Sequence, residues 1–238
     1  MKKHMKRLPA PRALKITRKT SVWAVKPAPG PHPKDRSIPL LTLVRDFLHL
    51  ADNAREAVAL LTAGEVHVDG RVVRQSKFPV GLMDVITLPS RKENYRILID
   101  ARGRLVPTPV PANEAGWKLC RVEGKTTLPG GATQVNLHDG RNIIVAKGAP
   151  PTGTTLKLSL PKQQVSASFP RTPGSVALLI GGQHAGEVGH LETIQTSRTS
   201  RANTARFKEG FDTIVDYVFV IGKETPEIRL PESSAVVL

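Results

Sequence analysis

The chain has 238 residues, with 35 Lys and Arg against 20 Asp and Glu, a formal net charge of +15. That excess points to a polyanionic partner rather than to any fold, and 39% hydrophobic residues with only ten aromatics favour several small aliphatic cores over a disordered chain or one large aromatic core. The single cysteine, Cys120, excludes an internal disulfide framework and any multi-cysteine zinc site.

Residues 1–37 read as a basic extension. Lys2, Lys3, Lys6, Arg7, Arg12, Lys15, Arg18, Lys19, Lys26, Lys34 and Arg36 face one acid, Asp35, so two thirds of the excess charge lies in the first 36 residues. Pro9, Pro11 and the charges around them break any apolar run, so no secretory signal is expected. The apolar stretches 175–182 and 217–222 are too short to span a bilayer. Leu8, Leu14, Ile16, Val22, Trp23 and Val25 are interleaved with the charges, and Pro27, Pro29, Pro31 and Pro33 stiffen the exit. A solubility tail has no use for Trp23. An arm laid along nucleic-acid phosphates with a few apolar anchors explains both features. With so few apolar groups, such an arm is expected to order only on its partner.

Leu40, Leu41, Val44, Phe47 and Leu48 recur at helical spacing and predict an amphipathic helix over 38–50. Asp52-Asn53 offers an N-cap for a second helix, 54–63, and Gly64 its stop. The period then changes. Val66-His67-Val68, the turn Asp69-Gly70 and Val72-Val73 predict a hairpin, followed by a strand from Asp84 to Leu88. Beyond Tyr95 short strand patterns alternate with Gly and Pro: 95–99, 117–123, 133–137, 141–146 and 155–160. Pro170 to Pro173 reads as a boundary. A last β unit takes 175–180, 186–194 and 214–221, and the basic segment 196–208 between them, with Arg198, Arg201, Arg206 and Lys208, reads as a loop. The expected architecture is α+β and multi-domain: extension 1–37, a helix–hairpin module 38–92, a central β-barrel-like domain 93–170 and a terminal β-barrel with tail 171–238.

No catalytic constellation is present in the pattern. The seven histidines are scattered, and the nearest pair, His184 and His190, lacks the acid or cysteine of a metal-ligand pattern, so neither metal nor cofactor is expected. Gly124-Lys125-Thr126 is similar to the end of a phosphate-binding loop, but Leu119 stands where the upstream glycine is required. Gly103-Arg104-Leu105 is similar to the start of the pseudouridine-synthase catalytic motif, but Val106 replaces its Asp and no nucleophile remains there. Asp84 has no partner carboxylate in the pattern and reads as a turn or strand-start residue. Cys120, in an alternating apolar strand, reads as a small buried residue.

Two segments carry specific signals. The run from Ala54-Arg55 to Arg71-Val72, with its helix, Gly64 and Asp69-Gly70 hairpin, resembles the αL-type, S-four-like RNA-binding module. This puts a helix N-terminus and the cations Arg45, Arg55, Arg71, Arg74 and Lys77 on one surface, a combination suited to phosphates. Gly174 to Ile194, with Gly182, Gly186 and Gly189 between apolar strands, resembles a KOW motif of an SH3-like β-barrel. Ala185 and Glu187 stand beside the central glycine where such motifs carry a base, so the Arg198–Lys208 segment is the better candidate for RNA contact there.

The order of parts, with Lys2-Lys3-His4-Met5-Lys6-Arg7-Leu8, Gly30-Pro31-His32, Gly81-Leu82-Met83-Asp84-Val85-Ile86, Lys118-Leu119-Cys120-Arg121-Val122 and Phe219-Val220-Ile221-Gly222-Lys223, resembles the eS-four family of archaeal and eukaryotic small-subunit ribosomal proteins over nearly the whole chain. The absence of an extended basic C-terminal tail implies an archaeal-type member. The resemblance implies a non-catalytic, cytoplasmic constituent of the small ribosomal subunit. Its partners would be 16S-type rRNA and neighbouring ribosomal proteins, with no membrane and no small-molecule substrate. A non-ribosomal RNA-binding factor, or an rRNA-modifying or assembly factor built from the same modules, is the alternative.

Overall fold

The structure, a computed structural model, describes residues 4–146 and 148–230. It divides into two compact units. The first takes the chain up to Leu98 with Arg104–Lys118 and Leu160–Lys162; the second takes Ile99–Gly103, Leu119–Ser159 and the chain from Gln163 onward.

In the first unit β1 (Met5–Lys6) pairs antiparallel with β2 (Trp23–Ala24). Residues 4–36 of the basic extension therefore pack on the protein itself, where the sequence reading expected ordering only on a partner. Few apolar groups suffice because they need no core of their own: Met5, Ala10 and Leu14 are buried, and the Ala13 carbonyl accepts a 2.9 Å hydrogen bond from the Leu105 amide. After β3 (Ser37–Pro39) comes α1 (Leu40–Thr42), which passes directly into a π-helical segment, Leu43–Phe47. This is shorter than the predicted helix. Pro39 and Ile38 belong to a strand, and the first helical amides, Leu40 and Leu41, donate to the carbonyls of Phe78 and Ser76, 2.9 Å each. The wider π turn is closed by Leu48 N–H on the Leu43 carbonyl, 3.0 Å.

Helix α2 (Ala54–Ala63) starts and stops where its caps dictate. The Asn53 side-chain oxygen accepts from the amides of Arg55 and Glu56 (2.9 and 3.0 Å), and the Glu56 carboxylate accepts from the Asp52 amide at 3.0 Å. Gly64 closes the helix at φ 87°, in the left-handed region. Strands β4 (His67–Val68) and β5 (Arg71–Val72) form the predicted hairpin, with Asp69 and Gly70 at φ 52° and 73°, the type I′ requirement. Then β6 (Pro79–Gly81) pairs with β3, and β7 (Val85–Leu88), β8 (Glu93–Ile99) and β9 (Leu105–Pro109) complete a five-stranded sheet of order β5-β4-β7-β8-β9. A short helix, α3 (Ala112–Ala115), follows.

Strands β10 (Trp117–Thr127), β11 (Thr133–Leu137), β12 (Asn142–Val145), β13 (Thr155–Ser159) and β14 (Val165–Phe169) form a sheet of order β12-β11-β10-β13-β14. Its core is Cys120, Val122, Val135, Leu137, Leu156 and Leu158. A last sheet, of order β18-β17-β16-β15-β19, is made by β15 (Val176–Leu179), β16 (Val188–Gln195), β17 (Thr204–Phe207), β18 (Asp212–Ile214) and β19 (Val218–Gly222). It packs on Ala177, Leu179, Leu191, Ala205, Phe207, Val215 and Val218. The segment 196–208 is therefore not a loop throughout. Ala205 and Phe207 alternate inward from β17, in a four-residue pattern that its arginines mask. Among the described residues no helix is long and apolar enough to cross a membrane.

Candidate nucleic-acid interface

The cations named from the sequence fall into three groups. Lys2 and Lys3 lie outside the described residues. In the extension, Lys6, Arg12, Lys15, Lys19, Lys34 and Arg36 are exposed, whereas Arg7 and Arg18 serve the extension's own architecture. Arg7 donates to the Thr17 carbonyl, to Thr17 Oγ1 at 3.1 Å and to Ser21 Oγ at 3.2 Å. Arg18 donates to the carbonyls of Leu8, Ala10 and Pro11 at 2.9, 2.6 and 3.1 Å. Lys26 is half-buried and has a partner of its own. Trp23, 55% exposed, meets His4 edge-to-face at 5.0 Å, so it is a surface ring rather than a core anchor.

In the module, Arg55, Arg71, Arg74 and Lys77 are exposed. Arg74 Nε donates to the Thr62 carbonyl at 3.3 Å and so ties the chain after the hairpin to the end of α2. Arg45 binds Asp46 through two hydrogen bonds, 2.6 and 3.0 Å, which raise its pKa against the opposing effect of burial. A groove of about 350 Å3 brings Arg7, Lys15 and Arg45 together with His49, Asp46 and Asp52. In the second unit Arg198 and Arg201 are exposed between β16 and β17, Arg206 on β17 pairs with Asp212 at 3.2 Å, and Lys208 is exposed.

Three arrangements are absent from the sequence reading. The first is a buried charge network beneath the module. Lys118 Nζ lies 2.7 Å from Asp69 Oδ2 and 3.1 Å from Asp84 Oδ1. His32 Nε2 stands 3.0 Å from Asp84 Oδ2, which also accepts from the Gly81 amide at 2.9 Å. Burial pushes the Asp84 carboxyl up, but the charges of His32 and Lys118 and the hydrogen bonds from His32 and Gly81 outweigh it and hold it well below the carboxylate range. Asp84 thus stands immediately before β7, close to the turn or strand-start role read from the sequence, and is joined to the hairpin-turn residue Asp69 through Lys118. Gly81 is required here, since a Cβ would come within 2.3 Å of the His32 ring. The second is Arg96, buried over the Trp117 ring at 4.5 Å and bonded to Glu114 at 3.3 Å, its pKa lowered by burial against the pull of Glu114. The third is a pair of arginines, Arg121 and Arg171, that line a groove in the second unit. None of these groups carries a catalytic geometry. Cys120, His138 and Asp139 cluster, but Asp139 is engaged by Arg141 at 3.2 Å and His138 Nδ1 accepts from the Arg121 amide at 3.2 Å.

The fold and the distribution of cations define a multi-domain α+β protein with a basic extension ahead of a helix–hairpin module. Three family models match in chain order: the RS4NT domain over residues 1–35, the S4 domain over 39–86 and the ribosomal family S4e over 91–165. Small ribosomal subunit protein eS4 of Methanothermobacter thermautotrophicus is 47% identical over 234 residues, covering 97% of this chain and 96% of that protein. The protein of the same name from Methanocaldococcus jannaschii is 43% identical, covering 96% of this chain and 98% of that one. The crystal structure of the 30S ribosomal protein S4e from Thermoplasma acidophilum matches with a TM-score of 0.72 and 38% identity, over 80% of this chain and 97% of that chain. The chain belongs to the eS4 family.

Proposed function

We propose that this protein is a structural constituent of the small ribosomal subunit that binds 16S-type rRNA through its phosphates and shape. The observation that carries the reading is the end-to-end likeness to proteins named small ribosomal subunit protein eS4, with extension, S4 domain and S4e segment in the same order. The charge supports it: the exposed cations of the extension and of the helix–hairpin module outnumber their acidic neighbours. Double-stranded RNA hides its base edges in a deep, narrow groove, so a surface of this kind reads backbone and shape.

Four parts serve this role: the extension 1–37, the S4-like module 38–92, a central β domain 93–170 and a KOW-type barrel 171–238. The last assignment is supported by the β15–β16 strand-loop-strand and by Gly186. At φ 85° its missing Cβ admits the Asp100 carbonyl, which would otherwise lie 2.2 Å away. The RNA-facing cations are Lys2, Lys3, Lys6, Arg12, Lys15, Lys19, Lys34 and Arg36 of the extension, Arg55, Arg71, Arg74 and Lys77 of the module, and Arg198, Arg201, Arg206 and Lys208 of the barrel. Arg7, Arg18, Lys26 and Arg45 shape the surface that presents them. The role is architectural and needs no cofactor. Its partners are rRNA and adjacent subunit proteins in the cytoplasm.

The test is a sucrose gradient of native extract at low and at raised salt, probed for this chain. Stoichiometric co-sedimentation with the small subunit that survives a moderate rise in salt is expected. Release into the light fractions at modest salt would sink the reading and favour a transient assembly or modifying factor.

A further inference from the structure

The groove in the second unit, about 410 Å3, is lined by Arg121, Arg171, Ser197, Thr199, Arg201 and Asn203, with the acids Glu123 and Asp216 also on its wall. Its arginines are not equivalent. Arg121 is fixed: Nε and Nη2 reach Glu123 Oε1 at 3.0 and 2.6 Å, and Nη1 donates to the carbonyls of Asp216 and Val218 at 2.7 and 3.0 Å. Its charge is largely answered by Glu123. Arg171 is half-buried, yet among the described residues it makes no hydrogen bond and no ion pair. Burial and then the like charge of Arg121 push its pKa down, and Asp216, too far for an ion pair, only partly opposes them. Gly153, at φ 83°, forms the near wall of its site: a Cβ there would lie 2.6 Å from Arg171 Nη1 with the side chain in this position.

The Arg171 nitrogens open to solvent in the groove, and a guanidinium that is part-desolvated and repelled by its neighbour gains from an anion that supplies charge-assisted acceptors. Its planar fork matches a phosphate. We propose that Arg171 and Arg201 bind a phosphodiester of the RNA backbone in this groove, with Arg121 as its fixed wall. A phosphate polymer is favoured over a single carboxylate because exposed Arg198 and Arg201 continue the positive charge along the chain that rims the groove. This site rests on the rRNA-binding reading and adds to it two residues, Arg121 and Arg171, that the sequence reading did not name for RNA.

The test measures binding of the full chain to transcribed small-subunit rRNA as a function of salt, for wild type, Arg171→Gln, Arg171→Lys and the exposed control Lys162→Gln. Arg171→Gln is expected to reduce the log–log salt slope by about 0.7 to 0.9, the loss of one phosphate contact, while Lys162→Gln leaves it unchanged. Arg171→Lys should keep the slope and weaken binding through the lost bidentate geometry. The melting temperature of Arg171→Gln should equal or exceed that of wild type, since a repulsion has been removed. A steep wild-type slope that Arg171→Gln does not alter overturns the groove and leaves the rRNA reading standing. So does an unaltered slope combined with loss of the variant from assembled subunits, which would make the ligand a protein carboxylate, or with a lowered melting temperature, which would make Arg171 a packing residue. A wild-type chain with no slope at all would overturn the rRNA reading itself.

Discussion

Lys118 is fully buried and stands between two carboxylates, Asp69 and Asp84, that lie 49 and 34 positions away in the chain. A buried ion pair is weak evidence of net stabilisation, but breaking one leaves an uncompensated charge and costs about 3–5 kcal/mol. Lys118→Met keeps the volume and removes the ammonium, so a loss of that order in denaturant unfolding is expected. The pH dependence follows from Asp84. Its folded pKa lies below the unfolded value of about 3.9, so its contribution is present above that pH and is lost as pH falls through and below it. Urea midpoints measured from pH 7 to pH 3 should fall for wild type. Those of Asp84→Asn should start lower and change less. Nothing in the sequence joins these residues. Asp84 alone reads as a strand start, and only the fold brings His32 and Lys118 to it. Arg171 was hidden differently, inside the Pro170–Pro173 segment that reads as a boundary.

At the scale of elements, local chemistry made the second helix and the hairpin readable. Asn53, Glu56 and Gly64 satisfy the ends of α2 within a few residues of chain, and Asp69-Gly70 sets the turn without outside help. Asn53→Ala should therefore cost about 1 kcal/mol, and Gly64→Ala about 1–2 kcal/mol for an L-residue in the left-handed region. Both are measurable by denaturant unfolding with the RNA salt slope unchanged. The first helix was only half readable, because its apolar spacing is real but its start is set by pairing with residues 76–81, which no local pattern reports. Strand β17 escaped for a related reason: two inward residues are too few to outweigh the arginines around them.

For the whole molecule, the net charge announced a polyanionic partner, while the division of labour among the cations emerged only from the fold. Replacing the exposed Lys6, Arg12, Lys15 and Lys19 together by Gln should lower the rRNA salt slope by about 3, at about 0.7 to 0.9 per phosphate contact, with the unfolding midpoint near wild type. Deleting residues 1–36 should lower the slope as well, but it also strips away buried Met5, Ala10 and Leu14 and the Ala13 carbonyl that Leu105 uses. That deletion is expected to destabilise the first unit. A slope unaltered by the fourfold substitution would mean that these four side chains touch no phosphate.

The extension's two best-bonded cations, Arg7 and Arg18, are both arginines whose donors go to its own carbonyls and hydroxyls, whereas its lysines at 6, 15, 19 and 34 point to solvent. The strongest framework ties are therefore guanidinium, while the field is carried by four amines together with the guanidinium groups of Arg12 and Arg36. An acetyl group on an amine removes its charge and leaves every guanidinium intact. Acetylation of these four lysines would lower the arm's attraction to the part held by Arg12 and Arg36 while the shape set by Arg7 and Arg18 stayed in place.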